Sequence, residues 1–188
     1  MSIIAINASP RPERNTYGLM QEVISGCAQA GQDAKLFQLG RMDIAPCNGC
    51  AACVPTAKCV VKDEMGQLYE AFDNAAEPKG LIIGTPIYFD HVSAQLKAVL
   101  DRLYSYTFTD LGQKMFPKGF KAVLLATYDD KPGRYGEVLD WLQGRLKYYH
   151  EIETIAKLTQ AEATAKPLAG NPDLIAQARK AGEQLAKG

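Results

Sequence analysis

Four of the chain's five cysteines fall in one run, PCNGCAACVPTAKC, which gathers Cys47, Cys50, Cys53 and Cys59 just ahead of a predicted helix. Thiols two residues apart cannot tie a small fold into loops, so structural disulfides are a poor reading of this run. Two chemistries remain, because a thiolate is both a metal ligand and a nucleophile: shared ligation of a metal centre, or reversible thiol exchange between neighbours such as Cys47 and Cys50. Zinc is disfavoured, since structural zinc normally uses two separated ligand pairs rather than three crowded thiols. A packed loop built on Pro46, Gly49 and the cysteines is the non-chemical alternative. Asn48, Gly49, Ala51, Ala52 and Val54 are small or uncharged, which leaves room for a bound group and shields it.

Two further segments have the residue types of a binding site. Asn7-Ala8-Ser9-Pro10-Arg11-Pro12-Glu13-Arg14-Asn15-Thr16 is rich in hydroxyl, amide and guanidinium donors and opens into a predicted helix. Free N–H groups at a helix start favour an anion. The loop lacks the GxGxxG of dinucleotide sites and the GK[ST] of nucleotide triphosphatases, so a monophosphate suits it better. The plain alternative is a polar turn with Asn15 or Thr16 capping the helix. Thr85-Pro86-Ile87-Tyr88-Phe89-Asp90 sets two adjacent aromatics at a strand end, suited to a flat heteroaromatic ring or simply to capping the core. Acid–base residues are scarce. His91 and His150 are the only histidines, and no serine or cysteine is paired with one by an evident motif, which argues against hydrolysis. His91 reads as a surface or cap residue.

These segments need a frame. Short apolar runs alternate with amphipathic stretches, the pattern of parallel strands separated by covering helices. Strands are predicted at Ile3 to Ala8, Ala34 to Leu39, Gly80 to Gly84, Ala122 to Thr127 and Ile152 to Leu158. Leu19, Met20, Val23, Ile24 and Cys27 share one face of the first helix, which makes Cys27 a core residue. Val92, Leu96, Val99, Leu100 and Leu103 do the same in the third helix, with Asp90 or Ser93 as cap. Asn171-Pro172 starts a final helix. The polar stretch TQAEATAKPLAGNP before it reads as a long loop or an arm able to reach another subunit. A length of 188 residues suits one domain over residues 1–188, with the cysteine-rich loop at residues 46–60. Twenty-one basic and 21 acidic residues, well mixed, disfavour nucleic acid as a partner. No run is apolar enough for a membrane span, and the first residues lack a secretory pattern, so a cytoplasmic protein is expected. In open parallel sheets ligands bind beyond the carboxyl ends of the strands, which is where these loops fall.

SPRPERNT after the first strand, CNGCAACVPTAKC with Lys62-Asp63-Glu64-Met65 behind it, and GTPIYFDHVSAQLKAVLDR together resemble the flavodoxin-like NAD(P)H-dependent FMN reductases, within them the iron–sulfur flavoprotein branch. The resemblance implies a three-layer α/β sandwich with a five-stranded parallel sheet in order 2-1-3-4-5. It implies that Ser9, Arg11, Asn15 and Thr16 cradle the FMN phosphate and that Pro86, Ile87, Tyr88 and Phe89 line the isoalloxazine ring. Thr127 and Tyr128 would add contacts, although Thr127-Tyr128-Asp129-Asp130-Lys131-Pro132-Gly133 departs from the family's glycine-containing loop there. Cys47, Cys50, Cys53 and Cys59 would hold a 4Fe–4S cluster, a ligand spacing that such clusters use. The implied protein is an FMN-dependent oxidoreductase moving electrons between flavin, cluster and an external donor or acceptor: NAD(P)H docking transiently, a quinone, or a ferredoxin-like protein. A homodimer or homotetramer is implied, with the flavin near a subunit interface that includes Asp101, Arg102 and Tyr104. A cluster-free NAD(P)H-dependent FMN or quinone reductase, and a non-enzymatic flavodoxin-like metal-binding interaction module, are the alternatives.

Overall fold

A computed structural model of the chain describes residues 3–107 and 116–188. Its sheet is built from β1 (Ile3–Asn7), β2 (Ala34–Gln38), β3 (Gly80–Tyr88), β5 (Lys121–Thr127) and β6 (Glu153–Gln160), parallel and in the order β2-β1-β3-β5-β6. A two-residue strand, β4 (His91–Val92), pairs antiparallel with the end of β3. Counted over the five long strands, this is the flavodoxin-like order expected from the sequence. The added strand is new, and it places Val92 in the sheet rather than in the third helix.

The apolar runs divide by parity, as a pleated strand requires. Ile3, Ala5, Ile82, Val123 and Leu125 face one layer, formed by α1 (Asn15–Gln29) and α5 (Pro172–Lys187). Ile4, Ile6, Leu81, Ile83 and Leu124 face the other, formed by α2 (Met65–Asp73), α3 (Ala94–Arg102) and α4 (Gly136–His150). Both faces of the sheet are therefore covered, which is why its central strands are apolar throughout. Helices α1 and α5 meet backbone to backbone: a Cβ on Gly182 would stand 2.0 Å from the Val23 carbonyl oxygen, and one on Gly26 would stand 2.0 Å from that of Arg179. Cys27 is buried between them and donates to the Gly182 carbonyl oxygen at 3.3 Å; burial pushes its thiol up to about 11.

Two helix starts form as their residues dictate. Ser93 caps α3 by accepting from the Leu96 N–H at 3.3 Å, and Asn171 caps α5 by accepting from the Leu174 N–H at 3.1 Å, with Pro172 in the first turn. The third strand is predicted only to Gly84. It runs on to Tyr88, since pairing of Ile87 with Val92 and Tyr88 with His91 extends it. The polar stretch after β6 is not a free arm. Its backbone is spent on its own chain, with the Ala163 N–H on the Tyr128 carbonyl at 3.0 Å and the Glu162 N–H on that of Asp130 at 3.2 Å. Among the described residues no helix is long and apolar enough to cross a membrane.

Candidate functional site

The carboxyl ends of β1, β3 and β5 lie side by side, with Asn7 beside Gly84 and Pro86 beside Thr127. Asn7, fully buried, shapes the loop that follows β1. Its Nδ2 donates to Gln38 Oε1 at 2.6 Å and to the Pro12 carbonyl at 3.2 Å, and its Oδ1 accepts from the Ser9 N–H at 3.1 Å. Gly40 lets this loop lie close, since a Cβ there would stand 2.7 Å from the Ser9 carbonyl oxygen. Ser93 ties the β1 and β3 ends together: its hydroxyl donates to the Ala8 carbonyl at 2.7 Å and its N–H to Thr85 Oγ1 at 3.0 Å.

These ties leave a cleft of about 210 Å³ at the sheet edge. Ser9, Arg11, Asn15, Thr16, Pro86, Ile87, Tyr88, Thr127 and Tyr128 all line it, so nine of the ten residues predicted to hold a cofactor come together. Phe89 stands apart, fully exposed at the tip of the β3–β4 hairpin, where it and Asp90 both have left-handed backbone (φ 50° and 61°). Neither Asn15 nor Thr16 caps α1. The cap position is Arg14, which offers no side-chain acceptor, and the first turn holds no acidic residue. Thr16 instead shares a 2.7 Å hydrogen bond with Thr127, joining α1 to β5, and the Ser9 hydroxyl donates to the Arg11 carbonyl at 2.9 Å. What faces an incoming anion is thus a set of free helix N–H groups flanked by Arg11, Arg14 and the Asn15 amide. This donor set fits the phosphate of FMN.

Asp129 and Ala163 complete the wall, a part that sequence reasoning missed. The Asp129 carboxylate accepts from both the N–H and the hydroxyl of Thr164 at 2.6 Å. These bonds, assisted by the charge of Arg11, hold its carboxyl below the usual carboxylate range. The departure from a glycine-containing loop after β5 is therefore matched by a local clamp from the segment after β6.

The four clustered cysteines line a separate cavity of about 460 Å³ with Val60, Asp101, Arg102 and Tyr104, and it shares no residue with the cleft. Position after β2 suggested a place beside the flavin mouth; the cavity instead lies at the far end of α3. Cys47 and Cys50 are exposed, Cys53 and Cys59 half-buried. Partial burial, with the charges of the other three cysteines, pushes the Cys53 thiol up. Among the described residues no three cysteine, histidine or carboxylate groups stand at metal-holding spacing. Four thiols on one cavity would nonetheless supply the donors that a sulfur-ligated centre needs. Asn48 and Gly49 turn the loop, the amide oxygen of Asn48 accepting from the Cys50 N–H at 3.2 Å and Gly49 taking φ 70°.

The model of the NADPH-dependent FMN reductases matches residues 1–128. The chain belongs to that family. Among curated proteins it is similar to an iron-sulfur flavoprotein of Methanocaldococcus jannaschii, 37% identical over 102 residues that make up 54% of this chain and 51% of that protein. It is also similar to an iron-sulfur flavoprotein of Archaeoglobus fulgidus, 32% identical over 70% of this chain and 64% of the other. The chain thus spans about half to two thirds of the length of these relatives. The NAD(P)H:quinone oxidoreductase of Methanothermobacter marburgensis has the same fold, with a TM-score of 0.76 over 98% of both chains at 15% identity.

One element of this FMN reductase family member escaped sequence reasoning altogether. Arg102, expected at a subunit surface, is buried in its own chain and paired with Asp63, 39 residues away. A signal existed: Arg102 follows Leu96 and Val99 on the buried face of α3, a position where a charge must have a partner.

Proposed function

We propose that this protein is an FMN-dependent oxidoreductase in which electrons pass between flavin in the sheet-edge cleft, a 4Fe–4S cluster held by Cys47, Cys50, Cys53 and Cys59, and an external donor or acceptor. The observation that carries this reading is the convergence of the β1, β3 and β5 loops on one cleft that ends at an uncapped helix N-terminus. Bound FMN supplies storage for one or two electrons. Ser9, Arg11, Asn15 and Thr16 with the α1 N–H groups hold and orient its phosphate; Pro86, Ile87 and Tyr88 offer the ring an apolar wall; Thr127 and Tyr128 close the other side. Phe89, outside the cleft at the exposed hairpin tip, is the remaining ring contact of this reading. The names of the curated relatives and the four thiols on one cavity support the cluster.

NAD(P)H, a quinone or a ferredoxin-like protein is the exchange partner, and a homodimer or homotetramer with the hairpin tip and Tyr104 at its contacts is the assembly. Flavin, iron and acid-labile sulfide per chain after anaerobic purification test the reading. Protein that lacks flavin and fails to bind added FMN overturns it. A second reading, a cluster-free NAD(P)H-dependent FMN or quinone reductase with Cys47 and Cys50 as a dithiol, draws on the exposure of those two thiols and the open spacing of the four. FMN without iron or sulfide, with flavin bleached anaerobically by NADPH, selects it.

A further inference from the structure

Helix α3 ends on a guanidinium only 2% exposed. Such a charge is tolerated only where its surroundings compensate it, and among the described residues every hydrogen-bond partner of the Arg102 guanidinium belongs to the stems of the cysteine loop. Nη1 donates to Asp63 Oδ2 at 2.7 Å and to the Ala45 carbonyl at 2.9 Å. Nη2 donates to Asp63 Oδ1 at 3.2 Å and to the Val61 carbonyl at 3.3 Å. Ala45 precedes Cys47, and Val61 and Asp63 follow Cys59, so one side chain joins the segment entering the loop to the segment leaving it. Asp63 adds a direct tie by accepting from the Ala45 N–H at 3.0 Å. A guanidinium has five N–H donors. Four are committed in this way, and the fifth, on Nε, is buried with no hydrogen-bond partner among the described residues. Arg102 also lines the cavity that the four cysteines share.

We propose that Arg102 is the positioning residue of the cysteine cavity: its Nη hydrogen bonds tie the two stems so that the four thiols are carried on one cavity, and its charge compensates the anionic, sulfur-rich group they hold. The inference rests on the cluster reading. Partners of this kind orient metal ligands, and hydrogen bonds to sulfur set a cluster's potential. Lysine keeps the charge but lacks the planar fork that ties both stems.

Wild type, Arg102→Gln and Arg102→Lys, purified anaerobically, are compared for FMN, iron and acid-labile sulfide per chain and for the cluster's midpoint potential. All three are expected to bind FMN alike, because Arg102 lies outside the cleft. Arg102→Gln is expected to hold at least tenfold less iron and sulfide, and Arg102→Lys an intermediate amount at a more negative potential. FMN-loaded Arg102→Gln with wild-type iron, sulfide and potential overturns the inference and leaves the cluster reading intact; FMN-loaded wild type without iron overturns both. If Arg102→Gln does not fold, Asp63→Asn decides in its place, since it keeps the cation and removes the carboxylate that fixes it. Lost iron with retained FMN supports the inference, and wild-type iron overturns it.

Discussion

Asp63 illustrates how much one residue can carry. Burial alone would favour its neutral form, but the Arg102 guanidinium and the N–H groups of Ala45 and Met65 outweigh that and hold its carboxyl below the usual carboxylate range. A depressed native pKa means that the stabilisation is fully present above the unfolded value of about 3.9 and is lost as pH falls through the native one. Urea midpoints measured from pH 7 down to pH 2 are therefore expected to fall more steeply for wild type than for Asp63→Asn. At pH 7 the variant should be less stable by about 3 kcal/mol, because it leaves Arg102 buried and poorly compensated. Chemistry at the thiols is separable from this. Cys50→Ala is expected to abolish bound iron while FMN stays, since ligand loop and phosphate loop are different segments; metal analysis with flavin absorbance checks it, and wild-type iron would refute ligation by Cys50.

At the scale of elements, the start of α1 does little to stabilise itself. Its cap position has no acceptor and its first turn has no acid, so Asn15→Asp should stabilise the ligand-free helix by roughly 0.3–1 kcal/mol. The same carboxylate should weaken FMN binding about tenfold, through repulsion of the phosphate. Opposite signs in thermal melting and in flavin titration are the expected result; parallel changes would count against phosphate at this terminus. Helices α1 and α5 pack with no space for a methyl group, so Gly182→Ala should cost about 3 kcal/mol or more, seen as a lower urea midpoint. Such features differ in how legible they are. Helix faces and caps such as Leu96, Val99, Ser93 and Asn171 follow from spacing within a few residues. The closeness of Gly26 to Arg179, the Thr16–Thr127 bond and the Asp63–Arg102 pair arise only when distant segments fold together, and no local period encodes them.

For the whole molecule, the meeting of three loops at one edge was readable from strand periodicity and the geometry of open sheets, and the order of five long strands from the family resemblance. The separation of cleft from cysteine cavity was not, since it depends on where a loop without regular structure is tied down. The two sites should accordingly respond to different treatments. FMN at a hundredfold excess over its Kd should stabilise the apoprotein by about 2.7 kcal/mol. That shift in thermal unfolding should shrink as salt rises, because exposed Arg11 and Arg14 flank the proposed phosphate site, whereas riboflavin should give a smaller, salt-insensitive shift. Helix α3 has Ser93 knitted into the cleft at one end and Arg102 into the cysteine loop at the other, and its nine residues span about 13 Å. It is a ruler whose graduations are helical turns. One inserted residue would swing Arg102 about 100° away from Asp63, while four would return it to nearly the same side about 6 Å farther along. The spacing between the two sites can therefore be altered only in whole turns, and a chain of this design has few intermediate distances open to it.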